Sequence, residues 1–185
     1  LATGVTANSV SLSGKDSWIF LNRLTLAQRL QKTPPLTDNE LALFATGMNN
    51  VDSRLGSKGI TFVHFAAPEK ESIYPEYLPP HINLEGPTPL DQINEAMAGS
   101  GAYIDVKKAL LEEKARRPER ILYHEIDTHW NCWGAYLGYR AVVNEGLIQR
   151  GASVPVVGDA EFVFRDVSQF DKRNPLSAHF WLSSI

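Results

Sequence analysis

The clearest periodic pattern along the chain is a helical one over residues 36–55, LTDNELALFATGMNNVDSRL. Thr37, with Glu40 three positions later, forms the capping-box pattern that marks a helix N-terminus. Apolar side chains then recur at the 3.6-residue spacing of an α-helix. They are Leu41, Phe44, Ala45, Met48, Val51 and Leu55. Gly56 and Gly59 follow, and glycine commonly ends helices. The pattern predicts one amphipathic helix.

Short apolar runs alternate with further helical patterns along the rest of the chain. ITFVHFAAP (60–68) is almost continuously apolar, β-branched or aromatic, which is typical of a strand buried on both faces. AYIDV (102–106) and RILYHEI (120–126) are predicted as two further strands, and SGKDSWIFL (13–21) as a polar turn before a short strand with Trp18 in the core. Helices are predicted over 90–98, 107–117 and 133–149. Strands that alternate with helices favour a three-layer α/β domain with a mostly parallel sheet.

Residues 69–89, EKESIYPEYLPPHINLEGPTP, interrupt this alternation with many prolines and aromatic side chains. They are predicted to form a long loop. Loops of this length in a compact domain are usually functional or disordered.

Composition limits the classes of protein to which the chain belongs. Its 185 residues suffice for one domain, predicted over residues 1–185. A net charge of −3 and a pI near 6.0 argue against a nucleic-acid partner. A single cysteine excludes an internal disulfide framework, and no apolar run approaches the roughly 18 residues needed to span a bilayer. Because the chain begins at Leu1, it also leaves room for a signal or anchor segment that has been removed.

The chemistry-bearing residues concentrate in HEIDTHWNCWGAY, residues 124–136. Asp127 and His129 follow a predicted strand, and ligands gather beyond the carboxyl ends of strands in open α/β sheets. In an extended segment, positions i and i+2 share one side, so the carboxylate can reach the imidazole. A carboxylate bound to one ring nitrogen leaves the other free to act as a base. The spacing permits an acid–base dyad, although a structural polar pair is the default interpretation of Asp-x-His alone.

Two other chemistries remain open for this stretch. Cys132 with His129 would be a Cys–His nucleophile, but a lone cysteine is usually a small buried hydrophobic residue. Glu125, Asp127, His129 and the adjacent His124 would be candidate metal ligands. Catalytic zinc sites usually use three histidine-rich ligands, and the other histidines, at positions 64, 81 and 179, are scattered. We therefore assign no metal and no cofactor.

Three blocks, GKDSWIFL, APEKESIYPEYLP and DTHWNCWGAYLGYRAV, occur in that order. Together they resemble the SGNH-hydrolase-like domain of the alginate O-acetylation proteins AlgJ and AlgX and their relatives in bacterial polysaccharide acetylation. The resemblance covers about residues 14–143, and Ser17 stands where the family often has glycine. It implies an α/β/α, flavodoxin-like domain. It also implies that Asp127 and His129 belong to a Ser-His-Asp triad that acetylates a polysaccharide such as alginate, or hydrolyses acetyl esters, outside the cytoplasm.

The serine of that triad is not evident from the sequence. The serines after His129 are at positions 153, 168, 177, 183 and 184, and none lies in a convincing nucleophile turn. We therefore expect the nucleophile beyond Ile185, in a chain that stops short of the whole domain. The alternative is a non-catalytic carbohydrate-binding member of an acetylation complex. The implied partners are the polysaccharide and an acetyl donor, which a membrane protein could deliver.

Four more residues are candidates for binding substrate or supporting the dyad. Lys70 could pair with a carboxylate or meet an anionic polymer, or be an ordinary loop lysine. Tyr74 could stack on a sugar ring or fix the proline-rich loop. Trp130 could line a carbohydrate groove or be buried behind the dyad. Asn131 could donate to an oxyanion, although its position favours capping of the following helix.

Overall fold

A β-hairpin opens the described part of the chain. The computed structural model describes residues 11–21, 35–80, 82, 86–156 and 158. Strands β1 (Ser11–Ser13) and β2 (Ile19–Leu21) pair antiparallel, with Leu12 opposite Phe20. A 3₁₀ turn over Lys15–Ser17 joins them. The predicted polar turn before a short strand is confirmed, and Trp18 is buried as expected.

Five α-helices follow in the described residues, and most lie where the sequence predicts them. They are α1 (Asp38–Gly56), α2 (Lys70–Ile73), α3 (Pro89–Met97), α4 (Val106–Arg116) and α5 (Cys132–Arg140). Thr37 and Glu40 make both hydrogen bonds of the predicted capping box. Thr88 and Asp91 make the same pair of bonds at the start of α3. The last predicted helix, over 133–149, is present as α5 and its continuation Ala141–Ile148, which winds as a π-helix.

The predicted parallel sheet is the main difference between expectation and structure. In the part of the chain that the structure describes, β1 and β2 form the one sheet with a continuous ladder. The predicted strands 60–68 and 102–106 meet at a single parallel bridge, between His64 and Tyr103. His64 N–H donates to the Ala102 carbonyl at 2.8 Å, and Ile104 N–H donates to the His64 carbonyl at 2.9 Å. The two segments therefore run parallel, as predicted, but pair at one bridge and not along a full strand.

The burial predicted for residues 60–68 is wrong. Ile60 is 49% exposed and Phe65 is 43% exposed, so this segment is not covered on both faces by the described residues. A strand needs a partner strand alongside it to form a ladder, and strand propensity mostly reflects packing against such neighbours. Within the described residues, this segment is bridged only at His64 and forms no ladder along the rest of its length.

The described part of the proline-rich segment 69–89 contains more helical structure than the predicted loop. It contains α2 and a 3₁₀ turn over Pro75–Tyr77, whose first position is occupied by proline. Proline at the start of a helical turn sacrifices no hydrogen bond, because that N–H has no intrahelical partner. Pro75 therefore starts a short helical turn here.

One hydrophobic core joins the hairpin to the helices around the candidate site. Trp18 stacks on Tyr77 with ring centroids 4.2 Å apart, and Tyr74 lies 4.8 Å from Trp18. Leu122 and Tyr123 join the same cluster, as do residues of α4 and α5. The segment before Asp127 is thus anchored in the core. No helix among the described residues is both long enough and apolar enough to cross a membrane.

Candidate functional site

The candidate site is a tight loop, residues 124–129, closed by an antiparallel bridge between Tyr123 and Trp130. His124 N–H donates to the His129 carbonyl at 3.2 Å. Asn131 N–H donates to the Leu122 carbonyl at 3.0 Å. Residues 120–126 are therefore not one strand as predicted. The chain turns after Tyr123, because the next pairing residue is Trp130 of the same segment.

Asp127 and His129 are in direct contact at the tip of this loop. Asp127 Oδ1 lies 2.6 Å from His129 Nδ1 and accepts a second hydrogen bond from His129 N–H at 2.8 Å. This is the geometry of an Asx turn, in which a side-chain oxygen binds the backbone two residues on. The reason predicted for the contact, two positions on one face of a strand, is wrong. The turn itself brings the two side chains together.

The dyad presents its imidazole to solvent. The His129 side chain is 79% exposed, whereas that of Asp127 is 22% exposed. Burial acts to raise the pKa of Asp127, but the hydrogen bonds from His129 outweigh it and hold the pKa below its ordinary value. A charged carboxylate only accepts hydrogen bonds, so it fixes the neutral imidazole as the tautomer protonated on Nδ1. Nε2 is then the basic nitrogen.

Lys70 lies behind the loop and not on the surface. It is 2% exposed, and its ammonium donates to backbone carbonyls of Ile19, His124, Glu125 and Asp127. Neither predicted role, pairing with a carboxylate or meeting a polymer, describes this contact set. Its bonds are to main-chain oxygens of the loop that carries the dyad.

Tyr74 and Trp130 support the loop from the core side. Tyr74 is 3% exposed, and its hydroxyl accepts from Leu122 N–H at 2.9 Å, so its ring faces the interior and not a sugar. Trp130 is half-buried, and its indole N–H donates to the Tyr123 hydroxyl. The Tyr123 hydroxyl in turn donates to the Pro68 carbonyl at 2.5 Å. These bonds connect the end of segment 60–68 to the dyad loop.

Asn131 caps helix α5, as its position indicates. Its Oδ1 accepts from Gly134 N–H at 3.0 Å, and its Nδ2 donates to the Ile121 carbonyl at 2.6 Å. Both ends of the amide therefore have backbone partners. Because α5 begins at Cys132, three residues after His129, the dyad lies next to the N-terminus of a helix in the sequence.

Two glycines let α5 pack directly against the loop. A Cβ at Gly134 would lie 2.1 Å from the Leu122 carbonyl oxygen, and one at Gly138 would lie 2.6 Å from the Trp130 ring. Real Cβ atoms do not approach other atoms so closely. The helix can therefore contact the backbone before the dyad and the ring after it because both positions lack a side chain.

The other chemistries considered from the sequence gain no support from the geometry. Burial raises the pKa of the Cys132 thiol, which disfavours the thiolate that a cysteine nucleophile needs. Within the described residues, no three histidine, cysteine or acidic side chains come together as metal ligands. Ser153 is exposed after the π-helix, and Ser168, Ser177, Ser183 and Ser184 lie outside the described residues. So do His81 and His179.

Tyr123 is the supporting residue that sequence reasoning missed. It is fully buried between Tyr74 and Trp130 and makes the two hydroxyl bonds described above. Burial raises its pKa, so the hydroxyl stays protonated and can donate. The sequence signal that could have identified Tyr123 is its position at the end of the apolar run 121–123, directly before His124 and Glu125.

The family of the chain follows from comparison with family models. The model of the SGNH hydrolase-like domain of the acetyltransferase AlgX matches residues 12–180. The chain belongs to this family. The resemblance seen in the three sequence blocks is confirmed, and the match continues beyond residue 143, where those blocks end.

Solved structures support the SGNH hydrolase-like fold. The chain is similar to Bacillus cereus PatB1 with a sulfonyl adduct, with a TM-score of 0.57, 19% identity, and coverage of 87% of this chain and 51% of that one. A second PatB1 structure gives a TM-score of 0.57, 20% identity, and coverage of 84% and 48%. The O-acetyltransferase domain of Pseudomonas putida AlgJ gives 0.51, 19%, and coverage of 78% and 50%. The chain thus spans about half the length of these structures. No curated protein matches it.

Proposed function

We propose that the chain is part of an O-acetyltransferase that modifies an extracytoplasmic polysaccharide such as alginate. The observation that carries the proposal is the contact of Asp127 with His129 Nδ1, which leaves Nε2 basic on an exposed imidazole. Family membership adds the reaction class, since the matching model describes an acetyltransferase. The dyad is proposed to work with a serine to form the triad.

The proposed reaction is a two-step acyl transfer. His129 Nε2 takes the proton of the serine hydroxyl as its oxygen attacks the acetyl carbonyl of the donor, and Asp127 stabilises the imidazolium. The donor's leaving group departs with that proton, which leaves an acetyl-serine. A sugar hydroxyl then attacks the acetyl group and gives its proton to Nε2, which returns it to the serine oxygen. If water replaces the sugar, the same steps make an acetylesterase.

The proposal includes the architecture and the setting of this chemistry. We assign residues 1–185 to one three-layer α/β/α domain, in which the His64–Tyr103 bridge belongs to a larger parallel sheet. The polymer lies outside the cytoplasm, and a membrane partner delivers the acetyl donor. No nucleic acid takes part.

Substitution of the dyad tests the proposal directly. In the chain extended to include the serine, Asp127→Asn and His129→Ala should lower the hydrolysis of a chromogenic acetyl ester about 10³- to 10⁴-fold, because triad members act as a unit. Ile126→Ala is the matched control, because Ile126 is exposed in the same loop. It should stay within about threefold of the parent protein. Activity that persists in both dyad variants would exclude this mechanism.

A sulfonyl fluoride reagent would identify the missing nucleophile. It should label one serine, found by peptide mass mapping, and Asp127→Asn should slow the labelling because the base loses its orientation. Labelling of several serines at equal rates in both proteins would contradict an activated serine.

A non-catalytic carbohydrate-binding function is the second candidate. The observation that favours it is the absence of a serine beside the dyad in any evident nucleophile turn. This function predicts that the extended chain binds oligosaccharide, measured by calorimetry, and that neither labelling nor ester hydrolysis occurs.

A further inference from the structure

The ammonium of Lys70 occupies a closed site made of carbonyl oxygens and aromatic rings. Lys70 is the first residue of α2, and its side chain passes inward between the hairpin and the dyad loop. Its Nζ lies 4.6 Å from the centre of the Trp18 ring and 5.0 Å from that of Phe20. Rings at this distance attract a cation through their negative faces. The hairpin therefore forms one wall of the ammonium site.

The other wall is the backbone of the dyad loop. Nζ lies 2.8 Å from the Ile19 carbonyl oxygen, 2.7 Å from that of His124, 2.7 Å from that of Glu125 and 3.1 Å from that of Asp127. Three of these four oxygens belong to the loop that ends in the dyad. Ile19 N–H also donates to the Glu125 carbonyl at 2.8 Å. One cation thus holds the loop against β2.

The chemistry of the site requires a charged lysine. An ammonium offers three N–H donors and no acceptor, and the four carbonyl oxygens can share those donors. A neutral amine would offer two donors and point its lone pair at one of the oxygens. Burial lowers the pKa of Lys70 to about 8, while the negative charges of Asp127, Glu125 and Glu71 act in the opposite direction. The side chain is therefore mostly protonated at pH 7 despite its burial.

We infer that Lys70 is a positioning residue of the Asp127–His129 dyad. Its ammonium gathers the carbonyls of His124, Glu125 and Asp127 and so fixes the turn in which the Asp127 carboxylate meets His129. The effect on the rate of acetyl transfer rests on the proposed function. The effect on the geometry of the loop does not. Lys70 touches no substrate in this role, because it is sealed beneath the loop.

Replacement of the ammonium tests the inference without any assay of activity. In Lys70→Met, the Asp127 carboxyl should lose part of its bond to His129, so its pKa, followed by carbon NMR of the side-chain carboxyl, should rise towards the ordinary value. The His129 N–H that donates to Asp127 should exchange with solvent at least about tenfold faster. Lys70→Arg should recover part of both effects, because a guanidinium keeps the charge and several donors.

Lys114→Met is the matched control. Lys114 also donates to a backbone carbonyl, that of Ile73 at 2.6 Å, and also lies over a ring, that of Tyr74 at 4.4 Å. Among the described residues it makes no bond to the dyad loop, so its replacement should leave both NMR measurements of the dyad unchanged. Equal changes in the Lys70 and Lys114 variants would overturn the inference, because they would report general destabilisation. No change in folded Lys70→Met would overturn it as well.

A measurement on the unsubstituted chain covers the case in which Lys70→Met does not fold. Nitrogen-15 NMR of lysine-labelled protein near pH 6 should show one slowly exchanging ammonium signal, with couplings across hydrogen bonds to carbonyl carbons, that is absent from Lys70→Arg. If every lysine ammonium exchanges rapidly, the site is not closed and the inference is wrong.

Kinetics then separate this inference from the proposed function. If the extended chain hydrolyses acetyl esters, Lys70→Met should lower kcat about 100-fold with little change in KM, as expected for a displaced catalytic group. If the unsubstituted chain is inactive but the NMR changes appear, the proposed function fails and the positioning role stands. If the chain is active and Lys70→Met keeps its kcat, the positioning role fails and the function stands.

Discussion

Ser17, which departs from the family pattern, occupies a backbone position that favours glycine. It adopts a φ of 66°, and Asp16 before it adopts 51°. Both lie in the left-handed region, where a side chain costs about 1 kcal/mol and glycine costs little. The glycine that the family often has at this position suits the turn, and the hairpin tolerates serine at a cost in stability.

Ser17→Gly should therefore stabilise the protein. The expected gain in the free energy of unfolding is about 0.5 kcal/mol, since relief of the left-handed strain is partly offset by the greater freedom of glycine in the unfolded chain. Urea denaturation measures it. Ser53→Gly is the control, because Ser53 is exposed inside α1 and glycine there should cost about 0.5 kcal/mol. A loss of stability in Ser17→Gly would show that the turn is not strained.

At the residue scale, the sequence predicted the Asp127–His129 contact and the Asn131 cap better than it predicted the residues that support the loop. Asp127 and His129 could be predicted because an Asx turn needs only residues two positions apart, and so could Asn131 as a cap. The contacts of Lys70 could not, since they join it to residues more than 50 positions away. Its partners are also main-chain oxygens, which every residue has, so no side-chain pattern marks them.

At the element scale, the longer helices were predictable, whereas the strands of the predicted parallel sheet were not found as ladders among the described residues. The capping box at Thr37 is a local signal, and it starts α1 wherever the rest of the chain lies. The apolar run at 60–68 depends on distant partners, and within the described residues it bridges only at His64. The strand predicted over 120–126 is absent for a related reason. Tyr123 pairs with Trp130, only seven residues further along the chain, so the chain turns back after Tyr123.

The close packing of α5 predicts that alanine will have opposite effects on stability at Gly134 of α5 and at Gly47 of α1. Gly134→Ala should lower the free energy of unfolding by about 2 to 4 kcal/mol, since its methyl group would overlap the Leu122 carbonyl and push the helix from the loop. Gly47→Ala in α1 should raise it by up to about 1 kcal/mol, because nothing lies within 4 Å of that position and alanine favours helix. Denaturant unfolding compares the two. Equal effects in both variants would contradict the close contact of α5.

At the scale of the whole molecule, burial is unevenly distributed. Among the described residues, the core cluster gathers around the dyad loop, whereas no residue of the long helix α1 is buried. The apolar stripe predicted for α1 has the right period, but Val51 is 38% exposed. Periodicity predicts which face of a helix is apolar and not how completely the rest of the fold covers it.

Several titratable groups of the folded chain have lowered pKa values, which makes the stability of the protein depend on pH. Burial lowers the pKa of His64, and Asp52 opposes that effect only in part. The His64 Nε2 is buried with no hydrogen-bond partner in the described structure, which suits a neutral ring. Among the described residues, three carboxyls also have pKa values below their ordinary range. Burial acts to raise the pKa of Asp91, but hydrogen bonds from Lys107 and Thr88 outweigh burial and lower the pKa. Burial likewise acts to raise the pKa of Asp127, and hydrogen bonds from His129 outweigh it. In Glu40, bonds from Thr37 lower the pKa.

We therefore expect stability to fall in two steps as the pH is lowered from 7 to 3. A lowered pKa in the folded state means that the unfolded chain binds the proton first, so acid favours unfolding. For His64 the loss begins as the pH falls through about 6.5, the unfolded value, and continues towards the lower folded value. For the carboxyls it begins near pH 4 and continues below it. The midpoint of urea unfolding, measured at each pH unit, should show both steps.

Two variants assign the steps to their groups. His64→Gln should remove the decline between pH 7 and 5 and keep the one below pH 4, because glutamine does not titrate. Asp127→Asn should keep the decline between pH 7 and 5 and reduce the decline below pH 4. The second decline should not disappear, because Asp91 and Glu40 still titrate there. A midpoint that stays constant from pH 7 to 5 in the unsubstituted chain would mean that His64 accepts its proton equally well in the folded state. Its buried Nε2 would then have to reach water or an acceptor in solution.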